Sequence, residues 1–569
     1  MSVETAAPAP LSPRRRRWAL VALVLPVLLI SVDMTILGFA VPTLSTELEP
    51  TGSQLLWMVD VYSFLLAGLL VLMGTLGDRI GRRKLLLLGA FAFGGASVLA
   101  AYATSAEMLI AARALLGVGG ATLMPSTLSL IRNVFADRRE RRTAIAVWAA
   151  AFAAGAGLGP VLGGVLLEHF WWGSIFLINV PIMLLLLVLG PVLLPESRDP
   201  DPGRFDPLSA VLALAGMLSF VYGVKKIGET GATGAAGLWL LAGLGVGALF
   251  VRRQRRSAAP MIDVGLFAHR RFSVSVATNL LAVFALVGLM FFFPQYLQMV
   301  HGIRPVEAGL WLLPAAVAAV AGALAAARLA RRAPLSHLIG GGLLLAALGY
   351  GVVLGFTTGS ALWLVVLSAG LVGAGVGLAE TLTNDAIIAA APPEQAGAAS
   401  AISETAYELG GALGVAVLGS VASSVYREEL SAALPAGLPE QAAEAAGETL
   451  GGALAVAERL PPQPAEEVLS AAREAFVGGM HVAAVIALVL ALCAAVQAAV
   501  LLRGMRPDDR EAAPGDSPAA VDGDAAAVRD EGAVRNGDDD GGAGDGGGPV
   551  GDGGPVGATA VNRRTGGAC

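Results

Sequence analysis

Asp33 is a residue able to do chemistry in a place where its charge is costly. It lies in residues 30–42, ISVDMTILGFAVP, inside an apolar run that begins at Trp18, directly after Arg14, Arg15, Arg16 and Arg17. At ~1.5 Å rise per residue, a run of this length spans the ~30 Å hydrocarbon core of a bilayer. One carboxylate in the middle of such a helix costs about 2.5–3.5 kcal/mol on insertion scales. It either faces a cavity and carries function or anchors its helix to another. Intramembrane carboxylates mark ion and substrate paths by default, and that is the reading taken for Asp33. Arg113, in the apolar stretch 109–113, LIAAR, raises the same question with the opposite sign. A guanidinium does not deprotonate in a protein, so it must face a cavity or a carboxylate.

The elements that must hold these groups are helices in lipid. Of 569 residues, 55% are hydrophobic and only 14% charged, against roughly a quarter charged in a soluble domain. Glycine, at 73 residues, suits helices that approach closely through small side chains. The two cysteines, Cys493 in an apolar run and Cys569, build neither a disulfide framework nor a metal cluster. The first apolar run has the basic flank of a signal sequence, but its length makes it the first membrane span.

Thirteen further apolar runs follow, near 54–76, 85–104, 108–131, 143–167, 172–194, 208–227, 238–251, 272–300, 308–329, 337–357, 362–388, 398–426 and 476–502. Basic residues cluster at 14–17, 79–84, 132–142, 198–204, 252–271, 328–332 and 503–506, on alternate loops and beside both ends. By the positive-inside rule these loops and both termini are cytoplasmic, which fits an even span count. Lys225, Lys226, Arg304 and a few charges in the long outer loop, 427–475, are the exceptions. That loop is rich in alanine and glutamate, with Pro435, Pro439, Pro461 and Pro462 breaking short helices. The segment 503–569, Gly- and Asp-rich, reads as a disordered cytoplasmic tail.

An internal repeat is present. RIGRR at 79–83, after the second span, is echoed by RLARR at 328–332, after the tenth. Two fused six-span halves would place the echo six spans on, so the seventh and eighth spans read as an insertion. The expected organisation is an N-terminal segment 1–17, a six-helix bundle 18–194, two inserted spans with their loops at 195–271, and a second bundle 272–502. Parallel repeats of this kind characterise one large class of secondary transporter.

Residues 74–83, GTLGDRIGRR, resemble the signature loop of the major facilitator superfamily. Gly74, Gly77 and Gly81 permit a tight turn, while Asp78, Arg79, Arg82 and Arg83 can pair with each other and with helix ends. The resemblance implies a gating latch for the outward-facing state. Residues 155–164, GAGLGPVLGG, resemble the antiporter motif of the fifth span. Gly155, Gly159, Gly163 and Gly164 allow close helix approach, and Pro160 bends the helix and frees a carbonyl. Arg113, followed by Gly117, Gly119 and Gly120, resembles the fourth-span arginine motif, which implies a part in proton coupling; a structural ion pair is the other reading.

Residues 33–42, DMTILGFAVP, resemble the first-span motif of the 14-span drug:proton antiporters, with Gly38 where that motif usually has asparagine. WMVDVY at 57–62, the basic cluster 138–142 before Trp148, and WWGSIFLINVP at 171–181 fit the same group. Glu404 and Glu408, in the thirteenth span, stand where its quaternary-ammonium exporters carry carboxylates. The resemblance covers roughly residues 18–502, apart from the long loop. It implies an all-α polytopic membrane protein with the major facilitator fold: two six-helix bundles, two extra central helices and 14 transmembrane spans.

The activity this implies is multidrug efflux: proton-coupled export of lipophilic, mostly cationic drugs across a bacterial-type cytoplasmic membrane, by a monomer that needs no cofactor, metal or nucleic acid. A lipophilic cation requires an apolar, aromatic cavity plus a carboxylate. Asp33, Asp60, Arg113, Glu404 and Glu408 are the proton-coupling and substrate candidates; Trp57, Tyr62, Phe292 and Tyr296 are the lining candidates. The nearest alternative is an exporter of a specific neutral or anionic product, such as a self-made antibiotic or a lipid. An enzyme would need a metal or nucleophile constellation, and His169, His269, His301, His337 and His481 are scattered near span ends. No G-x-x-x-x-G-K-[ST] stretch for ATP-driven transport occurs.

Overall fold

The computed structural model describes residues 12–135, 137–198, 206–231, 233–257, 260–391, 396–435 and 438–503. The expected N-terminal segment up to residue 11 and all of the expected tail beyond Arg503 lie outside the described residues.

Among the described residues, fourteen helices are long and apolar enough to cross a membrane. Spans 1 to 6 are Pro13–Glu47, Gly52–Ile80, Arg82–Ala101, Ala106–Val134, Thr143–His169 and Ser174–Leu193. Spans 7 and 8 are Pro207–Gly228 and Gly234–Arg256. Spans 9 to 14 are Arg270–Val300, Pro305–Ala326, Leu335–Val353, Leu362–Ala389, Ala398–Ala433 and Pro462–Leu501. Spans 13 and 14 extend into the stretch expected as loop 427–475. An apolar run ends at the first charges, but a helix does not: alanine, arginine and glutamate after Tyr426 are good helix formers and carry it on. Between these two spans lie short helices Glu440–Glu448 and Leu450–Ala457, bounded by Pro439 and Pro461.

The packing repeats with an offset of eight spans. Span 1 packs on span 5, span 2 on span 4, and span 3 on spans 4 and 6. In the second half span 9 packs on span 13, span 10 on span 12, and span 11 on spans 12 and 14. The halves meet where span 2 lies against span 13 and span 5 against span 10. Span 7 occupies the first of these seams, touching both span 2 and span 13, with span 8 packed against it.

Small residues allow these approaches. A Cβ at Gly155 would strike the Leu28 carbonyl, and one at Gly159 the Thr35 side chain; one at Gly163 would lie 2.8 Å from Ile36 Cγ1. Spaced four apart, these three glycines form the face of span 5 that receives span 1. Another face meets span 10. There a Cβ at Gly164 would lie 2.6 Å from the Pro305 carbonyl oxygen, and one at Gly309 would lie 2.5 Å from that of Pro160.

At one end of the bundle the turn between spans 2 and 3 requires glycine. Gly81 has φ of +111°, and a Cβ there would sit 2.6 Å from the Glu196 carboxylate. Arg82 Nε donates to Asp78 Oδ1 at 2.8 Å, and Arg83 Nη1 donates to the Leu194 carbonyl at 3.0 Å. Arg79 lies in the last turn of span 2; a Cβ at Gly77 would lie 3.1 Å from Leu85 Cδ2, and one at Gly74 3.8 Å from Pro125 Cβ. At the opposite end the Gly52 amide donates to Glu448 at 2.9 Å, and the Tyr426 hydroxyl to the Ala446 carbonyl at 2.8 Å.

The inserted pair has its own fastening. Asp206 caps span 7 by accepting from the Ser209 amide at 3.1 Å and pairs with Arg253 of span 8 at 3.0 Å. Burial pushes the Asp206 carboxyl up, but hydrogen bonds from Arg253 and Ser209 outweigh it and hold the group below its ordinary value. Outward-facing side chains such as Phe91, Val188, Leu241, Val317, Leu348 and Val496 are apolar and exposed. That is the surface a helix bundle presents to lipid.

Candidate transport site

Among the described residues five ionisable charges are fully buried: Asp33, Asp60, Arg113, Lys225 and Glu408. They fall into two ion pairs and one carboxylate without a cation.

The first pair joins spans 1 and 4. Arg113 Nη1 lies 2.6 Å from Asp33 Oδ2, with both side chains almost without solvent contact. Two further guanidinium donors are used: Nε bonds the Met58 carbonyl at 3.2 Å and Nη2 the Val59 carbonyl at 3.4 Å. The Tyr62 ring covers the guanidinium, with its centroid 4.6 Å from Cζ. On the other side Asn179 Nδ2 donates to Asp33 Oδ1 at 3.2 Å and to Ser97 Oγ at 3.1 Å. Asn179 begins the second helical segment of span 6, after a break at Ile178. Five of the first six spans therefore converge on one carboxylate. A buried pair is tolerated only when its other lone pairs and donors are met in this way. Gly38 lies little more than a turn away, and a Cβ there would meet nothing within 4 Å.

The second pair joins spans 2 and 7. Lys225 Nζ lies 3.0 Å from Asp60 Oδ1 and 3.8 Å from the centroid of the Trp57 ring. Trp57, Asp60 and Phe64 share one face of span 2, and Phe64 and Trp57 pack with Met217, Leu218 and Val221 of span 7 and Leu413 of span 13. Met58 and Tyr62, on other faces of span 2, serve Arg113 instead. Asp60 Oδ2 is buried and accepts no hydrogen bond among the described residues.

The third group is acidic alone. Glu404 and Glu408 stand one turn apart on span 13, Glu380 of span 12 lies within electrostatic range of Glu404, and Tyr407 lies within electrostatic range of all three. Glu408 is fully buried and Glu380 and Glu404 are half-buried. No basic side chain forms an ion pair with any of them among the described residues. Tyr62 connects the groups, lying over Arg113 and within electrostatic range of both Asp33 and Glu408.

The sequence-derived candidates divide accordingly. Asp33, Asp60, Arg113, Glu404, Glu408, Trp57 and Tyr62 gather in this belt. Phe292 and Tyr296 do not. The Tyr296 hydroxyl donates to the Thr357 carbonyl at 2.6 Å, and its ring stacks on Phe356 with centroids 5.3 Å apart. Phe292 packs against Phe291 and Phe476, beside the small cavity under Glu448 and Leu450. Both sit in the wide last part of span 9, where Tyr296–Val300 forms a π-helical turn. Lys225 is the clearest omission. Read from sequence as a stray charge outside the positive-inside pattern, it is instead a buried partner of Asp60. Glu380 was missed too, although a carboxylate inside the apolar run 362–388 is the signal that singled out Asp33. Asn179 lies in the 171–181 stretch, where sequence alone gives it no role. Among the described residues no group of three or more His, Cys, Asp or Glu could hold a metal ion.

Fourteen apolar-skinned helices in two halves, closed around a buried charged belt, define a polytopic membrane transporter. The chain belongs to the Major Facilitator Superfamily, whose profile matches residues 23–415. It is 49% identical to the multidrug efflux pump LfrA of Mycolicibacterium smegmatis, over 86% of this chain and 97% of that one. The methyl viologen resistance protein SmvA of Salmonella typhimurium is 41% identical, over 82% and 94% of the two chains. The tetracenomycin C resistance and export protein of Streptomyces glaucescens is 33% identical, over 90% and 96%. In fold, the chain is similar to a bacterial homologue of the human lysosomal transporter Spinster, with a TM-score of 0.59 at 19% identity, over 85% and 98%.

Proposed function

We propose that this protein is a multidrug efflux transporter that exports lipophilic, mostly cationic compounds across the cytoplasmic membrane in exchange for protons. The observation that carries this reading is the placement of Glu404 and Glu408, with no cation partner among the described residues, on span 13, the helix that packs on span 2 where the halves meet. An acid buried there gains from taking either a proton or a cationic ligand, so the two compete. The likeness to LfrA and SmvA supports the same substrate class. Asp33 and Arg113 set the electrostatics of the first half, and Trp57 and Tyr62 supply aromatic faces for a cation. The Asp78 loop serves as a latch, and the glycines of span 5 as the bearing on which span 1 and span 10 move. The arginine clusters favour cytoplasmic termini and a cytoplasmic Asp78 loop, and the protein acts as a monomer.

Coupling by competition needs no further machinery. Protonation from outside releases the cation, and deprotonation inside restores affinity. One proton exchanged for a monovalent cation moves no net charge, whereas a second adds about 2.3 kcal/mol per 100 mV of membrane potential. The test is efflux of ethidium and benzalkonium with and without a protonophore, followed by drug-driven proton release in vesicles. Export should collapse with the protonophore, and drug-driven proton release should be lost in the Glu404→Gln, Glu408→Gln double variant; full coupling in that variant refutes the assignment. A second reading, export of a specific neutral or anionic product, is favoured by the 33% identity to the tetracenomycin C exporter. A substrate competition panel separates the two.

A further inference from the structure

The Lys225–Asp60–Trp57 contact has the geometry of a bound cationic ligand. An ammonium sits 3.8 Å over an indole ring and 3.0 Å from a carboxylate oxygen, in a site almost closed to solvent. Carboxylate plus aromatic face is the chemistry that recognises an organic cation. The cation comes from the inserted span 7, packed in the seam between the halves. We propose that Lys225 is an internal competitor: its ammonium occupies the Asp60–Trp57 site when no substrate is bound, and a cationic substrate enters by displacing it. This rests on the cation-export reading and deepens it.

Three observations support displacement over a permanent brace. First, Asp60 is incompletely satisfied, since Oδ2 accepts no hydrogen bond among the described residues. Asp33, by contrast, has partners on both oxygens, from Arg113 and Asn179. Second, lysine is a compact point charge on a flexible stem, unlike the planar fork that grips Asp33. Third, span 13, which packs on span 7, carries Glu408, a buried carboxylate with no ion-pair partner among the described residues. The contact also sets a substrate class. An entering molecule must outbid an ammonium already in place, so permanent cations with large aromatic surface are favoured over small ammonium ions, which offer the ring nothing that Lys225 does not.

Tetraphenylphosphonium, a permanent aromatic cation, is the probe. Its equilibrium binding is measured on the purified full-length protein in nanodiscs, for wild type, Lys225→Met and Lys225→Gln. Removing a competitor that holds the site about nine-tenths of the time should tighten apparent binding roughly tenfold. Glutamine keeps a hydrogen bond to Asp60 and serves if methionine leaves the carboxylate too exposed to fold. Unchanged or weaker binding in folded variants overturns the proposal, and marks Lys225 as a structural partner only. Wild-type protein gives an independent measurement. Acetylation of Lys225 by acetic anhydride, followed by mass spectrometry, should rise when tetraphenylphosphonium is bound; constant or reduced labelling overturns the proposal. If wild type binds and exports the probe while these measurements fail, only the displacement idea falls. If neither wild type nor variants bind any lipophilic cation, the export reading falls with it.

Discussion

The two halves of this protein bury their acids in opposite ways. In the first half Asp33 and Asp60 each face a cation, Arg113 at 2.6 Å and Lys225 at 3.0 Å. In the second half Glu380, Glu404 and Glu408 have no cation partner among the described residues. A carboxylate held on both oxygens, as Asp33 is by Arg113 and Asn179, is a joint: removing one partner strands the other charge, and the fold suffers. An unpaired carboxylate in the same surroundings contributes little to the fold and is free to exchange a proton or a ligand. Position between helices thus separates acids that hold the bundle from acids that are free to work. The two pairs differ as well, since the Asp33 pair is tied by five spans and the Asp60 pair by two.

The contrast predicts a ranking of substitutions by their effect on stability. Arg113→Ala should be the most damaging, because it leaves Asp33 buried and unpaired at a cost of about 3–5 kcal/mol. The purified protein should melt far below wild type, and wild-type-like melting would remove the distinction between the halves. Gly155→Val comes next. Its side chain would strike the Leu28 carbonyl at the span 1 interface, and overpacking of this kind costs about 1–3 kcal/mol. Gly38→Ala, with nothing within 4 Å of the added Cβ, should melt like wild type and serves as its control.

Asp206→Ala should have a smaller effect. It removes the cap of span 7, worth about 0.5–2 kcal/mol, together with a half-exposed pair to Arg253 worth under about 1 kcal/mol. The sign of its pH dependence follows from the lowered carboxyl. The stabilisation is fully present above the ordinary value of 3.8 and disappears as pH falls through the lower folded value. Wild type and variant should therefore differ in melting at neutral pH and converge in strong acid. The smallest effect on stability belongs to Glu408→Gln, an isosteric neutral change where no ion pair is lost. Its melting temperature should equal or exceed that of wild type while drug-driven proton release in vesicles falls. A large loss of stability there would place Glu408 with the joints.

Much of this was readable in the chain. Fourteen apolar runs follow from local composition, because a bilayer demands long apolar helices. The Asp78 loop and the glycine face of span 5 are legible as motifs that resemble a family's, with small residues where close helix contacts demand them. Asp33 and Arg113 stood out for the same local reason: each is a charge inside an apolar run. The partners of those charges were not readable. Asp33 and Arg113 are eighty positions apart and Asp60 and Lys225 are 165 apart, and hydropathy holds no information about which helix faces which. Lys225 shows the difference most plainly. In sequence it is a charge near the end of an apolar run, but the packing of span 7 into the seam closes water away from it and sets it on Trp57 and Asp60. Hydropathy along the chain already dictates many membrane crossings with charges inside them. Which of those charges are bound to each other and which have no ion-pair partner among the described residues is settled by helix packing, because the energy of a buried charge depends on the neighbours that packing brings to it.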